Sequence, residues 1–161
     1  MRAIVLFDTR YGNTEKIARS LEAGLGSAGL ETACEGVKGA NADSLDEYDL
    51  VCVGGPTEWH SASRGMKSLL ERLDKASLRG KYGFAFDTKL DTPLSGAASG
   101  VIEKKLKKTG LKIIAPRESA IVSGVKGTAG AQLKEGEEQR FERVGALIGA
   151  ALSQKKDIPT R

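Results

Sequence analysis

The run AIVLFDTRYGNTEKIARSL, residues 3–21, decides how this chain folds. Its first five residues are continuously apolar, as a strand buried on both faces is, and a Gly-Asn-Thr turn follows at residues 12–14. Beyond the turn, Ile17, Leu21 and Leu25 recur on one face, which predicts an amphipathic helix from about Asn13 to Ala28.

The turn itself carries chemistry. Hydroxyls at Thr9 and Thr14, the amide of Asn13 and the backbone N–H groups around Gly12 converge at a helix N-terminus, where unpaired donors and the helix dipole favour an anion. The segment lacks the Gly-x-Gly-x-x-Gly of a dinucleotide site and the Gly-Lys-Ser/Thr of a P-loop. What fits is a single phosphate monoester held by hydroxyls and amides. A plain helix cap is the simpler use of Thr9 or Asn13, but a cap needs one such residue and not the whole set.

Outward from this unit, strand-like and helix-like runs alternate. Strands are read at ETACEGV (31–37), DLVCVGG (49–55), YGFAFD (82–87) and LKIIAPRESAIVSG (111–124), the last interrupted or placed at an edge by Pro116. Between them lie a helix burying Met66, Leu69, Leu70 and Leu73, and one burying Ala98, Ile102 and Leu106, capped by Ser95 and ended by Gly110. A last helix, about Glu135 to Gln154, buries Phe141, Val144, Ile148 and Leu152. Five strands alternating with helices predict an α/β fold with a doubly wound parallel sheet covered on both faces. Ligands then bind beyond the carboxyl ends of the strands, so the segments after strands one, three and four hold the candidate site.

Composition sets the frame. One domain over residues 1–161 is expected, with 40% hydrophobic and 29% charged residues, an ordinary globular balance. The opening MRAIVLF is too short and strand-like for a signal peptide and no apolar run reaches membrane-spanning length, so a cytoplasmic location without membrane insertion is expected. Cys34 and Cys52 sit in apolar strand contexts without metal or redox spacing and read as buried reduced thiols. The net charge of +4 mildly favours anionic partners, but no basic-aromatic interleaving marks a nucleic-acid binder.

Val5, Leu6, Phe7, Thr9, Gly12, Thr14, Ala18 and Leu21 match the flavodoxin signature at every defined position, and the chain resembles the short-chain, flavodoxin-like FMN proteins. That resemblance implies a three-layer α/β/α sandwich with a five-stranded parallel sheet of order 2-1-3-4-5, and FMN as cofactor. The family is itself a standing example of the switch-point rule for such sheets, so the ligand's position is carried over from it. Thr9, Arg10, Tyr11, Gly12, Asn13 and Thr14 would wrap the FMN phosphate. Arg10 departs from a family that often holds the dianion with neutral groups alone.

The second loop, GGPTEWHSASRG (54–65), holds the single Trp and the single His of the chain. The resemblance brings Pro56, Thr57, Glu58, Trp59 and His60 to the flavin, with Trp59 stacking on the ring; a surface or subunit anchor for Trp59 and plain polar surface for His60 are the alternatives. Many one-electron members use a glycine here so that a peptide can flip toward flavin N5, and Thr57 to Arg64 contains none. Positive φ at a non-glycine residue costs roughly 1–2 kcal/mol. In the third loop, DTKLDTPLSGAASG (87–100), Asp87, Thr88 and Lys89 are expected at the pyrimidine edge. Leu90, Pro93 or Leu94 covers part of the ring where the family commonly places a second aromatic.

Three functions stay open. The first is an FMN-binding electron-transfer carrier working with donor and acceptor redox partner proteins. The second is an FMN-dependent oxidoreductase with two-electron chemistry: a quinone or flavin reductase, or a relative of the menaquinone-linked protoporphyrinogen oxidases, whose first loop also tends to read Thr-Arg. The basic pI near 9.1, unusual beside acidic flavodoxins, and the missing loop glycine favour this one. The third is a binding module without flavin. No catalytic side chain and no metal are expected, and a homodimer is left open. The run EKKLKK (103–108) reads as the solvated face of a helix or as a docking patch for an acidic electron donor.

Overall fold

The computed structural model describes residues 1–58, 61–125 and 130–156. In chain order the elements are β1 (Arg2–Phe7), α1 (Asn13–Ser27), β2 (Glu31–Gly36), a 3₁₀ helix (Ala42–Glu47), β3 (Leu50–Glu58), β4 (Ser61–Ala62), α2 (Arg64–Leu73), β5 (Tyr82–Leu90), α3 (Ala98–Lys108), β6 (Lys112–Ile113), β7 (Glu118–Ser123), β8 (Gln132–Leu133) and α4 (Glu137–Lys156).

The parallel strands run in the order β2-β1-β3-β5-β7, which is the expected 2-1-3-4-5 order. The fifth strand comes in two pieces: β6 beside Tyr82 and Gly83, β7 beside Phe86 to Leu90. Pro116 lies in the gap, where its lack of an N–H removes a ladder bond. Two short antiparallel strands are added at the margins, β4 on the end of β3 and β8 on β7.

Alternation within the strands builds two cores. Ile4, Leu6, Val51, Val53 and Ala85 face α2 and α3, meeting Met66, Leu69, Ile102 and Leu106. Their neighbours Val5, Phe7, Cys52, Phe84 and Phe86 face α1 and α4, meeting Ile17, Leu21, Phe141 and Leu152. Every side chain flips face with its position, so both layers of helices are specified by the same strands. The α1–α4 contact is close: a Cβ on Gly24 would stand 2.0 Å from the carbonyl oxygen of Glu142, and one on Gly145 2.3 Å from that of Leu21.

Three expectations need correction. Strands β3 and β5 run three residues past the expected ends: their mutual ladder ends at Pro56–Thr88, after which β3 is carried on by pairing with β4 and β5 by pairing with β7. Ser95 does not cap α3; its hydroxyl donates to the carbonyls of Thr92 (3.0 Å) and Gly96 (3.4 Å). A cap must directly precede the first turn, and α3 begins only at Ala98. Cys52 is buried, but Cys34 is only half-buried. Burial still pushes the Cys34 thiol up to about 12 and the Cys52 thiol higher.

No helix among the described residues is long and apolar enough to cross a membrane.

Candidate cofactor site

Strand β1 stops at Phe7, level with Gly54 of β3 and Phe86 of β5, while β3 and β5 run on to Glu58 and Leu90. The step between the short strand and the two that run past it, paired with each other as far as Pro56–Thr88, leaves a notch at the carboxyl end of the sheet. The loop from Thr9 to Thr14 closes one side of it. The result is a cavity of ≈ 340 Å³, within the range of small-molecule sites.

Thr9, Arg10, Tyr11, Asn13 and Thr14 line the cavity from the first loop. Pro56, Thr57 and Glu58 line it from β3, and Thr88, Lys89 and Leu90 from β5. Eleven of the lining positions are thus supplied by three strand ends and their loops, and Val122 and Ala131 complete the wall.

The first loop is held by its own bonds. Gly12 takes the left-handed conformation at φ 90° and donates its N–H to Thr9 Oγ1 at 2.9 Å. A side chain at that φ would be strained, so glycine suits the turn. The Asn13 amide donates to the carbonyl of Ala131 at 2.8 Å, fastening the loop to the segment before β8. Arg10 is exposed, its guanidinium 5.4 Å from the centre of the Tyr11 ring.

Consequently neither Thr9 nor Asn13 caps α1, and Gly12 at its N-cap has no side chain to do so. Helix α2, by contrast, is capped by Ser63, whose Oγ accepts the N–H of Met66 at 3.1 Å. Asn13 and Thr14, the first residues of α1, line the cavity, so the helix's unpaired first-turn N–H groups lie beside it.

Behind the loop, Thr14 Oγ1 and Thr88 Oγ1 lie 2.8 Å apart, both buried. One hydrogen bond between two hydroxyls uses one proton, which leaves the other O–H as a donor for a further acceptor. The donors here are neutral and oriented, suited to a phosphate oxygen.

Thr57 and Asp87 are engaged elsewhere. Thr57 Oγ1 donates to Asp87 Oδ2 at 3.2 Å and accepts the Ala98 N–H at 2.9 Å. The same Asp87 oxygen accepts the Ser99 N–H at 2.8 Å. These two residues therefore do the capping of α3 expected of Ser95. Asp87 is fully buried and does not line the cavity, whereas the sequence reading put it at a pyrimidine edge.

Trp59 and His60 lie outside the described residues. The residues on either side, Glu58 and Ser61, pair as the last rung between β3 and β4. Of the third-loop apolar candidates, Leu90 lines the cavity, while Pro93 and Leu94 are exposed away from it. Val122 and Ala131 were missed; Val122 lies within the fifth strand read at 111–124, and its register with Leu90 brings it to the same edge.

The flavodoxin family model matches residues 5–143. A flavodoxin of Clostridium saccharobutylicum is 28% identical over 89 residues, 55% of this chain and 56% of that protein, so this match spans about half of each. A flavodoxin of Picosynechococcus sp. is 26% identical over 155 residues, 93% of this chain and 83% of the relative. Among solved structures, a flavodoxin from the domain Archaea superposes with a TM-score of 0.79 at 22% identity, covering 95% of this chain and 99% of the other. That likeness shows the fold.

Proposed function

The chain belongs to the flavodoxin family, and on that premise we propose that it is an FMN-binding electron carrier whose cofactor occupies the cavity at the ends of β1, β3 and β5. FMN is the cofactor of this family, and when bound it supplies the reversible uptake of electrons. The chain's own contribution is to bind, orient and shield.

One observation carries the assignment: the buried Thr14–Thr88 hydroxyl pair stands at the uncapped start of α1, on the wall of the cavity. In this reading Thr9, Thr14, Thr88 and the N–H groups of the first turn hold the phosphate, with Arg10 free to add charge from the rim. Tyr11, Pro56, Leu90 and Val122 supply apolar wall against the ring and exclude water from it. Glu58 and Lys89 lie at the polar margin, and Trp59 and His60 are proposed to approach the ring from the segment between β3 and β4. Asp87 acts at one remove, holding Thr57 and the start of α3 in place.

The family match supports the carrier over the alternative of a two-electron quinone, flavin or porphyrinogen oxidoreductase. We place the protein in the cytoplasm, as one domain over 1–161, working between protein redox partners. The test is a visible spectrum of the purified protein during stepwise reduction. The reading expects a bound-flavin spectrum that bleaches with reductant and recovers on mixing with an oxidised redox protein. A colourless protein that stays apo in excess FMN would overturn it.

A further inference from the structure

Helices α2 and α3 lie side by side on the face of the sheet opposite α1 and α4, and a shallow, open groove runs between them. Lysines stand on both banks: Lys67 on α2, and Lys104, Lys105, Lys107 and Lys108 on α3, against Glu71 as the one carboxylate of the lining. Lys105 pairs with Asp74, and Lys107 with Glu103 at 2.9 Å. Lys67, Lys104 and Lys108 are exposed and have no carboxylate partner among the described residues. Between the banks Val101 is 41% exposed, beside Leu70, which is itself buried in the core.

Like charges held across one groove repel, and a carboxylate-bearing chain laid between them relieves that repulsion while its apolar residues cover Val101 and the lysine stems. A channel between two helices is shaped for a third. Nucleic acid fits less well, since the lining offers no aromatic ring for a base and no arginine. A flat anionic membrane does not follow a concave surface.

We propose that the α2–α3 groove docks an acidic, amphipathic helical segment of the protein with which this carrier exchanges electrons. Identifying that protein as a redox partner rests on the carrier reading; the groove's preference for an acidic segment does not. Both helices start where the chain leaves the cavity walls, after Glu58 and after Leu90, so a segment seated in the groove extends toward the cofactor end of the sheet.

The test uses the full chain loaded with FMN and a fluorescent synthetic peptide with glutamate and leucine at helical spacing. The double reversal Lys67→Glu/Lys104→Glu is compared with a charge-matched reversal at exposed sites elsewhere, Lys38→Glu/Lys112→Glu. The groove variant is expected to weaken peptide binding at least about tenfold, the control less than about twofold, with binding weakening as salt rises. FMN content is measured on every sample, so loss of the carrier reading registers separately from loss of the groove. Equal weakening by the two reversals, no peptide binding by the wild type, or preferential binding of a single-stranded oligonucleotide or phosphatidylglycerol vesicles through the same lysines would overturn the proposal.

Discussion

Asp87 Oδ2 accepts the backbone N–H of Ser99 at 2.8 Å, so a carboxylate within β5 opens the helix that follows the strand, across a loop that supplies no cap of its own. The same oxygen receives the Thr57 hydroxyl, which ties β3 to the same point. Asp87→Ala leaves both donors without an acceptor and is expected to cost about 1–3 kcal/mol. Asp87→Asn retains an acceptor oxygen and is expected to cost less. Urea unfolding midpoints check the order.

Gly24 and Gly26 sit in the same helix and should respond with opposite signs. A Cβ at Gly24 meets backbone of α4, 2.0 Å from Glu142 O and 2.8 Å from Ala146 N, so Gly24→Ala must push the helices apart. Overpacking of this kind typically costs about 1–3 kcal/mol or more. At exposed Gly26 the nearest atom is Thr32 Oγ1 at 3.8 Å, and Gly26→Ala gains roughly 0.5–1 kcal/mol from helix propensity. Thermal melts of the two variants separate the cases.

Arg140 clamps α4 to β7 by donating to Glu137, Glu118 (2.8 Å) and the carbonyl of Ser119 (2.6 Å). Burial alone would raise the Glu137 carboxyl, but the bonds from Arg140 and from the Ile121 N–H outweigh it and hold the group below its usual range. A carboxyl depressed in the folded state contributes stability that is complete above its unfolded pKa and is lost as pH falls through the folded one. Stability is therefore expected to decline below about pH 4. Glu137→Gln should flatten part of that decline while lowering stability near pH 7, as read from urea midpoints between the two.

Much of the fold was legible because the apolar pattern carried it. Ile17, Leu21 and Leu25 announced α1, and Ala98, Ile102 and Leu106 announced α3, because a buried helical face repeats with the helix turn. The ends of β3 and β5 were not, since Pro56 pairs with Thr88 while Thr57 pairs with Ala62 of β4 and Lys89 with Ile121 of β7, distant partners that leave no apolar signal in the local sequence. In the site, the first loop was read from its own letters. Asp87 was misplaced because its partners lie across the loop at Ala98–Ser99 and back in β3, and Ala131 was missed because its tie to Asn13 joins residues at opposite ends of the sequence.

The hydroxyl pair gives a direct reading of the phosphate cradle. Thr88→Val preserves shape, removes one hydroxyl and strips Thr14 of its buried partner. FMN affinity is expected to fall about tenfold, equivalent to ~1.4 kcal/mol. Flavin fluorescence quenching on titration of apoprotein measures it.

If the phosphate is gripped at the start of α1, comparing FMN with riboflavin on the apoprotein isolates that grip. The isoalloxazine is shared, so any difference in affinity belongs to the phosphate. FMN is expected to bind at least about 100-fold more tightly, a difference of ~2.7 kcal/mol, and Thr14→Val to shrink the gap. Equal affinities for the two ligands, or a gap untouched by Thr14→Val, would contradict the site as drawn.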